Sequence, residues 1–145
     1  MLVRLMYASR AVPAIDHEEL HSLLRQCRIN NPKHGITGVL CFADRTFLQV
    51  LEGGRSAVNE LYRRIAHDAR HQDVELLTYE EIDQRRFAGW AMGQVQMTGV
   101  NPALLLKYSA SATLDPYAVP GRVSMALFDD LVASASIACE RGGAT

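Results

Sequence analysis

Gln49 is a carboxamide inside the otherwise apolar run Phe47-Leu48-Gln49-Val50-Leu51. A polar side chain in a buried strand needs partners, since an unsatisfied one costs about 1–3 kcal/mol. A structural glutamine bonded to backbone or hydroxyl meets that need as well as one that grips a ligand. Tyr7 falls on the same strand face as Val3 and Leu5, where a ring packs and its hydroxyl seeks one partner. A phenol and a carboxamide on adjacent strands can form a single hydrogen-bonded pair. Asn30-Asn31-Pro32 reads either as a helix stop and turn or as an extended Asn31 that offers donor and acceptor to a ligand edge.

Three other patterns suggest chemistry. His17-Glu18-Glu19-Leu20-His21 has the HExxH spacing that sets two imidazoles on one helix face for zinc. It occupies a first helical turn, however, with no third ligand nearby in sequence, so a solvated helix start accounts for it too. His67 and His71 share the spacing, but a helix ending near Asp68 separates them. Gly35-Ile36-Thr37-Gly38 matches a GxxG clamp in letters only, because it opens a strand. Trp90, the only tryptophan, reads alone as core or interface.

The elements that must position these residues follow from periodicity. Alternation predicts a first strand from Leu2 to about Ser9. Asp16 with Glu19 forms a capping box for a helix carrying Leu20, Leu23, Leu24 and Cys27 to about Ile29, and Pro32 pushes Asn31 toward extended backbone. Strands are expected over 35–42 and 46–52 with Asp44-Arg45 as the hairpin turn. Ser56 is expected to cap a second helix with Val58, Leu61, Tyr62 and Ile65 as its stripe. Further strands are expected over 74–82 and 91–97. This order is a ferredoxin-like α+β layout, βαββαββ, with two helices on one face and the first and third strands as central neighbours. Tyr7 and Gln49 then lie side by side.

The third strand is apolar on both faces, so something must cover the second face. Candidates are a C-terminal extension over 98–145, with a short helix from Pro102 and a longer one carrying Met125, Phe128, Leu131, Val132 and Ala135, or a second copy of the chain.

Composition sets outer limits. The chain has 145 residues, 48% hydrophobic and 21% charged, with net charge −1, which suits an ordinary globular protein and offers no basic stripe for nucleic acid. No apolar run is long enough for a membrane span, and the N-terminal residues read as strand, not signal peptide. Cys27, Cys41 and Cys139 are widely spaced, as expected of buried thiols in a reducing cytoplasm.

Taken together, Leu5-Met6-Tyr7-Ala8-Ser9, Asn30-Asn31-Pro32 with Gly35-Ile36-Thr37-Gly38-Val39-Leu40, and Phe47-Leu48-Gln49-Val50-Leu51-Glu52-Gly53 form an ordered set with Asp68-Ala69-Arg70-His71 and Arg86-Phe87-Ala88-Gly89-Trp90-Ala91-Met92. Across residues 2–97 this set resembles the BLUF family, blue-light sensors that use a flavin. The resemblance implies a flavin-binding domain over 1–97 and a non-covalent flavin between the two helices: FAD, with FMN or riboflavin compatible with the same ring contacts. It implies that Tyr7 is the electron and proton donor, that Gln49 joins the phenol to flavin N5 and C4=O, and that Asn31 bonds the polar edge of the ring. Asp68, Arg70 and His71 fall where ring or ribityl contacts are made, and Trp90 and Met92 match strand positions through which the signal leaves. A chain of this kind is expected to be a cytoplasmic photoreceptor, not an enzyme, acting on an effector protein in trans and self-associating. The competing readings are a ferredoxin-like binding module without photochemistry and a small zinc hydrolase built on His17 and His21.

Overall fold

The computed structural model describes residues 1–134 and the backbone of residues 137–138. Strand β1 (Leu2–Ala11) leads into helix α1 (His17–Asn30), where the Asp16 side chain accepts from the Glu19 N–H as the capping pattern requires. The α-helix ends at Asn30, just before Pro32, as expected, but the chain does not turn extended there. Asn31 keeps right-handed helical backbone (φ −59, ψ −43), its N–H donates to Cys27 O, and Asn31–His34 continue as a 3₁₀ turn. Pro32 sits in the first turn, where its missing N–H is no loss, so Asn31 is helical and not extended. Gly35 ends the turn in the left-handed region at φ 66, a conformation open to glycine.

Strands β2 (Thr37–Ala43) and β3 (Thr46–Gly54) form the expected hairpin. Asp44 and Arg45 both have positive φ, 53 and 60, the type I′ turn whose twist matches its flanking strands. Helix α2 (Arg55–His67) follows at once, with Gly54 at its N-cap and no side-chain cap. Ser56 therefore lies within the first turn and does not cap. Strand β4 (His71–Ile82) is three residues longer at its start than expected. Strand β5 is only Gly93–Val95, so Trp90 and Met92 stand in the approach to it and not in a strand. Helices α3 (Pro102–Leu106) and α4 (Gly121–Ser134) and a two-residue strand β6 (Ile137–Ala138) follow. Sequence pattern had offered no sign of β6; Ala135 and Cys139 lie outside the described residues.

The sheet order is β4-β1-β3-β2-β5-β6, the ferredoxin-like arrangement with β1 and β3 central. β5 joins β2 in parallel, and β6 pairs antiparallel with β5 as the edge strand. Period-two alternation sends β1 and β3 residues to opposite faces, and each face has its own core. On one, Val3, Leu5, Tyr7, Phe47 and Leu51 meet Leu20, Leu23 and Leu24 of α1 and Val58 of α2. On the other, Met6, Leu48 and Val50 meet Leu105 of α3 and Leu127, Phe128 and Leu131 of α4. The chain thus covers its own second face, which removes the bare apolar patch that favoured self-association. Gly38 lets β2 approach closely, since a Cβ there would lie 2.1 Å from Val50 O.

Candidate functional site

β1 and β3 pair antiparallel with Tyr7 directly opposite Gln49. Both are buried, and the Tyr7 hydroxyl donates to Gln49 Oε1. Gln49 Nε2 in turn donates to Met92 Sδ at 3.2 Å. The phenol has no water to stabilise its anion, so burial holds its pKa well above the usual 10. Tyr7 therefore holds its proton throughout the ordinary pH range.

This pair faces a groove of about 360 Å³ between α1 and α2, within the range of small-molecule sites, about 300–1,000 Å³. Leu23, Cys27, Ile36, Leu61 and Ile65 supply apolar wall; Asn31, Asp68, Arg70 and His71 supply polar groups. Leu61 and Ile65 are only partly buried, because this side of α2 borders the groove instead of closing on the core. Asn31 is buried, and its Nδ2 donates to Ala91 O at 3.0 Å. A primary amide has two N–H donors, and Asn31 and Gln49 each spend one on a protein acceptor.

Asp68 accepts from the Arg70 backbone N–H and pairs with its guanidinium at 2.6 Å. Those hydrogen bonds hold the Asp68 carboxyl below the usual carboxylate range and raise Arg70. His71 Nδ1 lies 2.7 Å from Ser9 Oγ, and its ring meets Phe47 (4.8 Å between centroids) and the edge of Tyr7 (6.3 Å). Burial depresses its pKa, so it is neutral beside the phenol. Burial also pushes the Cys27 thiol in the groove wall up to about 11.

The site residues anticipated from sequence divide by location. Tyr7, Gln49, Asn31, Asp68, Arg70 and His71 all line the groove. Met92 is buried against Gln49 on the groove side, whereas Trp90 is turned to the other core and stacks on Phe87 at 6.0 Å. Sequence reasoning left Ser9, Cys27 and Glu52 unassigned. Glu52, fully buried, could have been suspected as a charge closing a strand apolar on both faces. His17 and His21 are exposed, 3.0 Å apart at Nε2, and among the described residues no group of three His, Cys, Asp or Glu gathers as a metal site. His67 and His71 fall on different elements. Nor is any described helix long and apolar enough to cross a membrane.

Apolar walls around two carboxamides suit a flat aromatic ligand with a polar edge, which is what a flavin ring is. Comparison with known proteins agrees. The chain is 37% identical over 84 residues to photoactivated adenylate cyclase subunit alpha of Euglena gracilis, covering 58% of this chain but 8% of that protein. It is 30% identical over 87 residues to the blue light- and temperature-regulated antirepressor BluF of Escherichia coli, covering 60% of this chain and 22% of that protein. It thus spans less than a quarter of the length of either relative. Among solved structures, BlsA in its photo-activated state superposes with a TM-score of 0.82 at 30% identity, covering 94% of this chain and 99% of that one. The dark-state structure of BlrB, a BLUF protein, gives 0.74 at 32%, covering 92% and 96%. The family model of sensors of blue light using FAD matches residues 2–93. This chain therefore belongs to the BLUF family, the flavin-dependent blue-light photoreceptors.

Proposed function

We propose that Tyr7 and Gln49 are the photochemical relay of this photoreceptor, and that Asn31, Asp68, Arg70 and His71 hold FAD in the groove. The single observation behind this reading is the buried Tyr7–Gln49 hydrogen bond at the groove. Bound FAD supplies the light absorption and an excited state able to oxidise a neighbouring phenol. A phenol that loses an electron becomes a strong acid, and its proton has one short path, along the bond from Tyr7 to Gln49 Oε1. Gln49 then rearranges by rotation or tautomerisation; its two-ended amide suits it to this, where leucine or glutamate would not serve. Rotation would aim the carbonyl oxygen at Met92 Sδ, which has no proton to give, so the Gln49–Met92 bond is lost. The local change thereby reaches the segment before β5.

Asn31 offers its second N–H to the polar edge of the ring, while the Asp68–Arg70 pair and His71 border the rest of the groove. The ring contacts would serve FMN or riboflavin equally. We further propose that residues 1–97 are the flavin-binding unit and 98–145 the output extension, since α3 and α4 pack on the sheet face opposite the groove. The chain then signals by contact with an effector protein and performs no catalysis of its own. A reducing cytoplasmic setting accords with the free thiols of Cys27 and Cys41.

The test is spectroscopic. The purified chain with FAD should be yellow and show a reversible red shift under blue light. Colourless protein that ignores added flavin would sink the reading.

A further inference from the structure

Glu52 stands three residues beyond Gln49 on β3 and is fully buried. Its carboxylate accepts from Arg4 Nε at 2.8 Å, from the Arg86 backbone N–H at 3.0 Å and from the Phe87 backbone N–H at 2.7 Å. A desolvated carboxylate must keep its donors, so the Arg86–Phe87 turn cannot drift from β3. The same turn reaches α4: the Arg86 guanidinium pairs with Asp129 at 2.7 Å, and the Phe87 ring meets Phe128 edge-on at 6.4 Å. The chain then runs back to the groove. Trp90 O accepts from Gly38 N, Ala91 O from Asn31 and Met92 O from Arg28, and Met92 Sδ accepts from Gln49. Residues 86–92 are thus fastened to one strand at both ends, by Glu52 and by Gln49.

We propose that Glu52 is a positioning residue that makes segment 86–92 a link between Gln49 and helix α4. Loss of the Gln49 bond releases the Met92 side chain and leaves the backbone bonds from Gly38, Asn31 and Arg28 to carry the shift. Because Glu52 fixes the turn, the displacement is passed through Arg86–Asp129 and Phe87–Phe128 to α4 and is not absorbed as slack. This rests on the reading of Gln49 as the relay.

The experiment uses the full chain loaded with FAD, recording in one sample the flavin red shift, its dark recovery and the light-minus-dark hydrogen exchange of residues 121–134. Parental protein should show a difference in α4. Asp129→Asn should keep the red shift and lose much of that difference. Glu52→Gln should keep the red shift, abolish the α4 difference and alter dark recovery, and the double variant should be no worse than Glu52→Gln alone. Glu80→Gln, which removes the other carboxylate on Arg4, should leave the α4 response intact, separating a role in the link from general weakening of this cluster. A parental-sized α4 difference in a folded Glu52→Gln or in Asp129→Asn, or none in the parent, overturns the proposal, and the Asp129→Asn result counts against the link even if Glu52→Gln does not fold. Absence of any red shift in the parent refutes instead the relay reading, and the link with it.

Discussion

Tyr7 and Gln49 are directly opposed across β1 and β3, and the phenol's hydrogen bond ends on a carboxamide whose other end rests on Met92. The proposed proton donor, rearranging group and first output contact are therefore consecutive members of one chain of hydrogen bonds. Each can be tested separately.

Removing the donor should separate flavin binding from photochemistry. Tyr7→Phe keeps the ring that packs in the groove floor, so FAD stays bound, but the red-shifted state should not form. Gln49 Oε1 loses its donor, and stability should fall by about 1–3 kcal/mol. Absorption spectra under illumination and denaturant unfolding check both expectations; a normal photocycle would refute the role of Tyr7.

Gln49→Leu keeps comparable volume and removes both bonds at once. The expected result is FAD retained, no red shift, and a Met92 that no longer responds to light. Formation of a normal red-shifted state in this variant would place the rearrangement elsewhere.

Trp90 lies on the far side of the sheet from the groove, stacked on Phe87. Trp90→Ala should leave the red shift in place while altering dark recovery and the response of α4. The partly buried ring should account for about 2 kcal/mol of stability, less than a fully buried aromatic. Recovery and α4 exchange identical to the parent would remove Trp90 from the output route.

His71 makes a pH prediction. Its folded pKa lies below the ordinary 6.5 because burial disfavours the imidazolium, partly opposed by Asp68. As pH falls, the unfolded chain takes up this proton first. The contribution of His71 to stability is complete above about pH 6.5 and is lost as pH falls through the lower folded value. Unfolding free energy measured from neutral toward about pH 5 should decline, and the slope should shrink in His71→Gln. An unchanged slope would mean that another group titrates.

Period-two alternation was enough to put Tyr7 with Val3 and Leu5 and Gln49 with Phe47 and Leu51 on the groove side, and the order of elements made β1 and β3 neighbours. Local chemistry also marked the Asp16 cap and the Asp44-Arg45 turn, because caps and turns are settled within a few residues. Tertiary structure decided the rest. Asn31 is helical despite Pro32, since the 3₁₀ turn continues α1 and the Asn31 side chain is held by Ala91, sixty positions away. Trp90 and Met92 lie outside a strand because segment 86–92 is bound by Glu52, Gly38, Asn31 and Arg28 and not by a neighbouring ladder. The second face is closed by α3 and α4, the natural candidate from sequence, where a partner subunit was the other candidate. In each case the deciding contact joins residues far apart in sequence, and burial at that contact sets its strength; no local pattern encodes either.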